Sequence, residues 1–188
     1  MRVNQCVGCS TFPCSDVKHE CYLVPTPSLK PETISIVMVS EAAPEAAADY
    51  YYAKGDPLFQ RTTVQAFRDA GADVSSVKEL LNRGVYFTTA VKCAKTAYGI
   101  RPETIRECSL LLEKELLQFP KARVLMLMGD VAIRALHYIA QRAGEKRPIP
   151  RVRRTKFAAA SISSAVCACF RRTSRPVPVS LSRRASEK

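Results

Sequence analysis

Three short runs of apolar, often β-branched residues, each followed by a segment with helical spacing, limit what this chain can fold into. The runs are ISIVMVS at 34–40, VYFTTAV at 85–91 and ARVLMLM at 122–128. Such near-continuous apolar stretches suit strands covered on both faces. Between the first two, Leu58, Val64, Phe67 and Ala70 share one helical face, and Gly71 suits the stop. Ser76 and Glu79 fit a capping box opening a short helix that ends at Gly84. Pro102 and Glu103 begin a helix whose buried stripe is Ile105, Cys108, Leu112 and Leu116, and a last helix over 130–143 turns Val131, Ala135, Leu136 and Ile139 inward. The alternation predicts a three-layer α/β domain: a central, mostly parallel four-stranded sheet flanked by helices, with right-handed crossovers. A sheet of this kind keeps its ligand site at the carboxyl ends of its strands, where Glu41, Thr89 and Cys93 fall.

A length of 188 residues with 47% hydrophobic content suits one domain. The first residues lack the apolar run of a secretory signal, and no stretch reaches the roughly 18 to 20 apolar residues needed to cross a bilayer. A cytoplasmic monomer with no membrane partner is expected. The formal charge of +12 points to nucleic acid until it is divided along the chain. Residues 151–188 hold ten of the 29 Lys and Arg and one of the 17 Asp and Glu, a tail of +9 that leaves the first 150 residues at +3.

Cytosolic cysteines in this number are read as metal ligands or reactive thiols before disulfides. Cys6 and Cys9 form a C-x2-C pair, and Cys93 and Cys108 have fourteen residues between them, one at the end of the second strand and the other in the second turn of the next helix. A return of the chain brings those two thiols together, and the N-terminal pair reaches over through a connector holding Pro25, Pro27 and Pro31. Four thiolates meet the demand of a cubane 4Fe-4S cluster. Two other readings stand beside it: zinc held locally by Cys6, Cys9, Cys14 and Cys21, or Cys93 and Cys108 as ordinary buried thiols.

The order of motifs resembles the family 4 branch of the uracil-DNA glycosylases over about residues 6–150. The residues that carry the likeness are the C-x2-C pair, Ser40-Glu41-Ala42-Ala43-Pro44-Glu45 after the first strand, and the Gly55-Asp56-Pro57-Leu58 loop. Thr88-Thr89-Ala90-Val91-Lys92-Cys93 and the C-x14-C spacing complete it. The resemblance implies a cluster on Cys6, Cys9, Cys93 and Cys108 and DNA as the partner. It implies Glu41 as the catalytic carboxylate, orienting water or stabilising a cationic sugar. Phe59 would stack on a flipped-out base, Thr89 stands where the family has an asparagine on the base edge, and Lys92 and Lys95 lie where phosphates would pass. Threonine has one hydroxyl where a carboxamide offers both a donor and an acceptor, so the substitution bears on uracil specificity. The ordinary alternatives are a loop acid at Glu41, core packing at Phe59 and solvated lysines. Tyr50, Tyr51 and Tyr52 can stack on bases or line a groove, and Arg101 and Arg106 can meet phosphates.

The chain therefore divides into a Cys-rich segment and connector (1–33), a uracil-DNA glycosylase-like α/β domain (34–150) and an aberrant basic tail (151–188). The tail breaks the earlier periodicity where a last strand is due, and reads as out of frame or disordered. Codon degeneracy allows a shifted frame to encode a strand, a Phe-Pro-Ser loop and a basic helix there. On this reading the last strand is missing and the sheet keeps an unpaired edge. Two functions are expected from the whole: a DNA repair hydrolase cleaving the N-glycosidic bond, or a nucleic-acid-binding module on the same scaffold. A zinc-stapled protein is the third.

Overall fold

A computed structural model describes residues 2–149 and a strand at 165–169. The three apolar runs form the parallel centre of a five-stranded sheet. In chain order the strands are β1 (Val17–Lys18), β2 (Ile36–Ala43), β3 (Val85–Lys95), β4 (Val124–Met128) and β5 (Ala165–Cys169). Their order across the sheet is β1-β3-β2-β4-β5. β2 pairs in parallel with β3 and with β4, while β1 and β5 pair antiparallel at the two edges. The mostly parallel sheet is thus as expected.

The edge of β4 is not. It was expected to lie unpaired for want of a last strand, but β5 covers it over the whole length of β4, from Val124 opposite Cys169 to Met128 opposite Ala165. The remainder of the proposed out-of-frame tail lies outside the described residues.

Helices α1 (Leu58–Asp69) and α2 (Val77–Asn82) cover one face of the sheet, and α3 (Pro102–Leu116) and α4 (Asp130–Arg142) the other. Alternation along the strands divides the core accordingly. Met38, Val85 and Phe87 pack with Val64, Val77 and Leu80, whereas Val37, Val39, Tyr86 and Ala90 pack with Ile105, Leu112, Ala135 and Leu136. The expected capping box at α2 forms with a shift of one residue: the Ser76 hydroxyl accepts from the Glu79 N–H, but the Glu79 carboxylate reaches back to the N–H and hydroxyl of Ser75. Gly84, with φ +86°, turns the chain into β3 where a β-carbon would meet the Thr33 carbonyl at 2.6 Å.

The N-terminal segment differs from the appendage its composition predicts. Val3, Val7 and Val17 are buried in the same core as α3 and α4, followed by Val24 and Leu29 from the connector. Two polar ties fix it. The Leu23 N–H donates to the Lys92 carbonyl at 2.7 Å, and the Asp16 carboxylate accepts from the Arg101 N–H at 2.6 Å and from the Thr104 hydroxyl at the start of α3.

The free edge of β3 is closed by a side chain. The Tyr52 hydroxyl accepts from the Phe87 N–H at 2.9 Å and donates to the Phe87 carbonyl at 3.1 Å, doing there what a neighbouring strand would do. Tyr50 and Tyr51 are buried beside it, with Tyr51 5.3 Å from the Phe87 ring. The tyrosine run, which could have stacked on bases or lined a groove, serves as core and edge packing.

Candidate active site and thiol face

At the carboxyl ends of β2 and β3 lies a cavity of about 380 Å³, walled by the 40–45 segment, Phe59, Ala94 and Lys95. Each element delivers its residue for a plain reason. β2 is apolar over 36–39 and again at Ala42 and Ala43, and between them Ser40 and Glu41 are partly exposed, with Glu41 at the mouth. Lys95 ends β3, and its ammonium lies 3.4 Å from the Glu41 carboxylate. Gly55, at φ +89°, and Pro57 turn the chain into α1, so Phe59 enters the wall from the first turn, with its ring centroid 5.2 Å from that of Tyr51. Phe59 is at once a wall residue and a part of the packing around Tyr51.

The third side of Glu41 is the turn after β4. Its carboxylate lies against Gly129, the residue that precedes α4, where φ is +101° and ψ 169°. A β-carbon on Gly129 would stand 2.7 Å from Glu41 Cγ and 2.9 Å from Cδ, closer than real contacts allow. Sequence reasoning missed Gly129; a glycine directly ahead of a helix start was the available signal.

Thr89 does not reach the cavity wall. It is fully buried, its hydroxyl has no hydrogen-bond partner among the described residues, and its neighbour across the sheet, Ser40, occupies the wall instead.

Lys92 is a correction. Expected beside DNA phosphates, it is fully buried on the α3 face and pairs with the equally buried Glu115 of that helix. The ammonium also donates to the Thr88 hydroxyl at 2.8 Å and the Thr89 carbonyl at 2.7 Å, and the carboxylate accepts from Tyr86 at 2.6 Å and Thr88 at 3.1 Å. Burial, with Glu115 adding to it, pushes the Tyr86 hydroxyl well above its usual range, so it remains a donor. Every charge in this network is satisfied, and none of it is free for phosphate. Nothing in the sequence around Lys92 marked it as buried, because its partner lies 23 residues away on another element. Lys95 stays at the surface, 5.9 Å over the ring of the fully exposed Tyr98. Arg101 and Arg106 are exposed, with Arg106 over the ring of Tyr138.

The cysteines separate by environment. Cys93 and Cys108 are buried, Cys9, Cys14 and Cys21 partly so, and Cys6 is exposed. These six of the eight cysteines are free thiols. Burial pushes the Cys93 thiol up to about 12, with Cys108, Cys9, Cys14 and Cys21 contributing in that order. Burial likewise lifts Cys108 to about 11, with Cys14 and Cys9 adding to it. Among the described residues no three His, Cys, Asp or Glu side chains are already gathered as a metal ion would hold them. The donor chemistry nonetheless suits an iron-sulfur cluster: a sulfur-only set of unpaired thiols around two buried ones, at the junction of β3 and α3.

An α/β sheet with a cavity at the carboxyl ends of its strands, walled by a carboxylate and an aromatic ring, belongs to the class of α/β domains that take their ligands at the strand ends. Within that class, the chain belongs to the uracil-DNA glycosylase superfamily: the model of that family matches residues 27–178. It is also similar to the type-5 uracil-DNA glycosylase of Thermus thermophilus, with 42% identity over 53 residues, a stretch covering 28% of this chain and 24% of that protein. The superfamily is the one its motifs resemble; this relative bears the type-5 name, whereas the motifs resemble family 4.

Proposed function

We propose that this protein is a DNA repair hydrolase that cleaves the bond between a flipped-out, uracil-like base and its deoxyribose. The observation that carries the proposal is the meeting of Glu41 and Phe59 in one cavity at the strand ends, of a size that suits a small ligand. Phe59 offers its ring to the base. Glu41 takes a proton from a water molecule as its oxygen bonds to C1′, the C1′–N bond breaks, and its electron pair leaves with the base. The products are a free base and an abasic deoxyribose. The same carboxylate offsets positive charge on the sugar in the transition state. Lys95 and Tyr98, exposed at the rim, are the groups placed to meet the DNA strand.

A 4Fe-4S cluster on Cys9, Cys93, Cys108 and one further N-terminal cysteine would be structural. When bound, it supplies a covalent staple between the N-terminal segment, β3 and α3. A second reading, a module that binds nucleic acid without cleaving it, is favoured by Thr89, which replaces a carboxamide and lies behind the cavity wall. Incubation with an oligonucleotide carrying one uracil separates the two: alkali-labile strand breaks at that position, lost in Glu41→Ala while binding persists, support the hydrolase. Binding without strand breaks by the unaltered chain supports the module.

A further inference from the structure

The proposed cluster needs a fourth thiolate beside Cys9, Cys93 and Cys108, and the C-x2-C spacing nominates Cys6. The fold places that residue poorly. Cys6 follows a single 3-10 turn at Val3–Gln5 and is exposed, while its companion Cys9 packs against the core that contains Cys93 and Cys108.

Cys14 packs against that same core. Its position is fixed from both sides. Asp16, two residues on, is bound to the Arg101 N–H and the Thr104 hydroxyl at the start of α3. Val17 and Lys18 then pair with Lys95 and Ala94, directly after Cys93. Thr104 and Cys108 are four residues apart on α3, so they lie on one face about one helical turn, roughly 5.4 Å, apart. The Asp16 tie thus holds Cys14, two residues before it, beside the start of α3 that carries Cys108, and β1 holds the same segment against the strand end that follows Cys93. Cys21 is drawn elsewhere, its thiol donating to the Glu45 carbonyl at 3.2 Å at the edge of the cavity.

We propose that Cys14, and not Cys6, is the fourth ligand of the centre, so that the set is Cys9, Cys14, Cys93 and Cys108. This rests on the reading that the chain binds a cluster at all, and the test keeps the two apart. The full chain and its single cysteine-to-serine variants are loaded anaerobically with iron and sulfide, and bound iron, bound sulfide and visible absorption are measured. The expected result is that Cys6→Ser holds as much of each as the unaltered chain, while Cys14→Ser falls to the level of Cys93→Ser. Full retention by Cys14→Ser with loss in Cys6→Ser overturns the assignment. An unaltered chain that takes up neither iron nor sulfide overturns the cluster reading and this one with it. Because Cys14→Ser can also fail by misfolding, the loaded unaltered chain is treated with iodoacetamide and its peptides are weighed. Cys6 should be alkylated and Cys14 protected; the reverse contradicts the proposal.

Discussion

Glu41 and Gly129 are fitted to each other: the carboxylate arm occupies the space that any β-carbon at position 129 would need, with Cγ 2.7 Å and Cδ 2.9 Å from that point. The pairing joins the end of β2, beside the cavity, to the turn after β4, its neighbour in the sheet. Gly129→Ala is expected to displace the carboxylate and to strain the backbone, whose φ of +101° and ψ of 169° are essentially confined to glycine. The strain alone costs about 1–3 kcal/mol. In a Glu41→Ala background the crowding is gone and only the strain remains. Denaturant unfolding of both single variants and the double variant should therefore show a smaller loss for Gly129→Ala in that background, by more than about 0.5 kcal/mol. Strict additivity would mean that the two residues do not compete for space.

The Lys92–Glu115 pair has neither charge exposed to solvent. Removing one partner leaves the other buried and unpaired, so Lys92→Met or Glu115→Leu alone should lose about 3–5 kcal/mol in equilibrium unfolding. The double replacement should recover much of that, because two apolar side chains leave no charge stranded. A DNA-binding measurement on any soluble variant should show no change in salt dependence, since Lys92 reaches no phosphate.

Tyr52→Phe keeps the ring and deletes the hydroxyl that serves both polar groups of Phe87. Two backbone groups on the edge of β3 then lose their partner, at a cost of about 1–3 kcal/mol. Thermal unfolding at neutral pH reads the loss, and an unchanged midpoint would mean that water replaces the hydroxyl without penalty.

Glu79 supplies a pH dependence with a definite sign. Hydrogen bonds from the Ser75 hydroxyl and N–H hold its carboxyl below the usual value of 4.5. Folding therefore favours the ionised form: the contribution is fully present above that value and is lost as pH falls through the lower folded value. Between about pH 5 and 3 the thermal midpoint of the unaltered chain should drop more than that of Glu79→Gln, which has no proton to gain. Parallel profiles would remove Glu79 from the acid response.

Much of the architecture was legible because it is periodic. The spacing of Ile105, Cys108, Leu112 and Leu116 predicts α3, and the three apolar runs predict the parallel centre of the sheet. What was hidden depends on pairs far apart in sequence. Lys92 looks like any surface lysine until Glu115 is brought beneath it, and Cys14 looks idle until Asp16 and β1 anchor it over α3 and β3. Gly129 gains its importance from Glu41, 88 positions earlier in the chain, and Tyr52 from an open strand edge that local pattern does not reveal. At the cavity, motif and strand-end position had singled out Glu41 and motif alone Phe59, both of which line the wall together with Lys95, while Thr89 lies one layer beneath it.

The central claim is that the cavity holding Glu41 breaks a glycosidic bond. It is tested most directly by incubating the chain with a single-uracil oligonucleotide and weighing both products by mass spectrometry. Free uracil and an abasic strand should appear in equal amounts from the unaltered chain, and at least about a hundredfold more slowly from Glu41→Ala, the scale of a lost acid-base group. Release at an undiminished rate from Glu41→Ala, or an intact oligonucleotide recovered from a folded, DNA-bound, unaltered chain, would contradict the account.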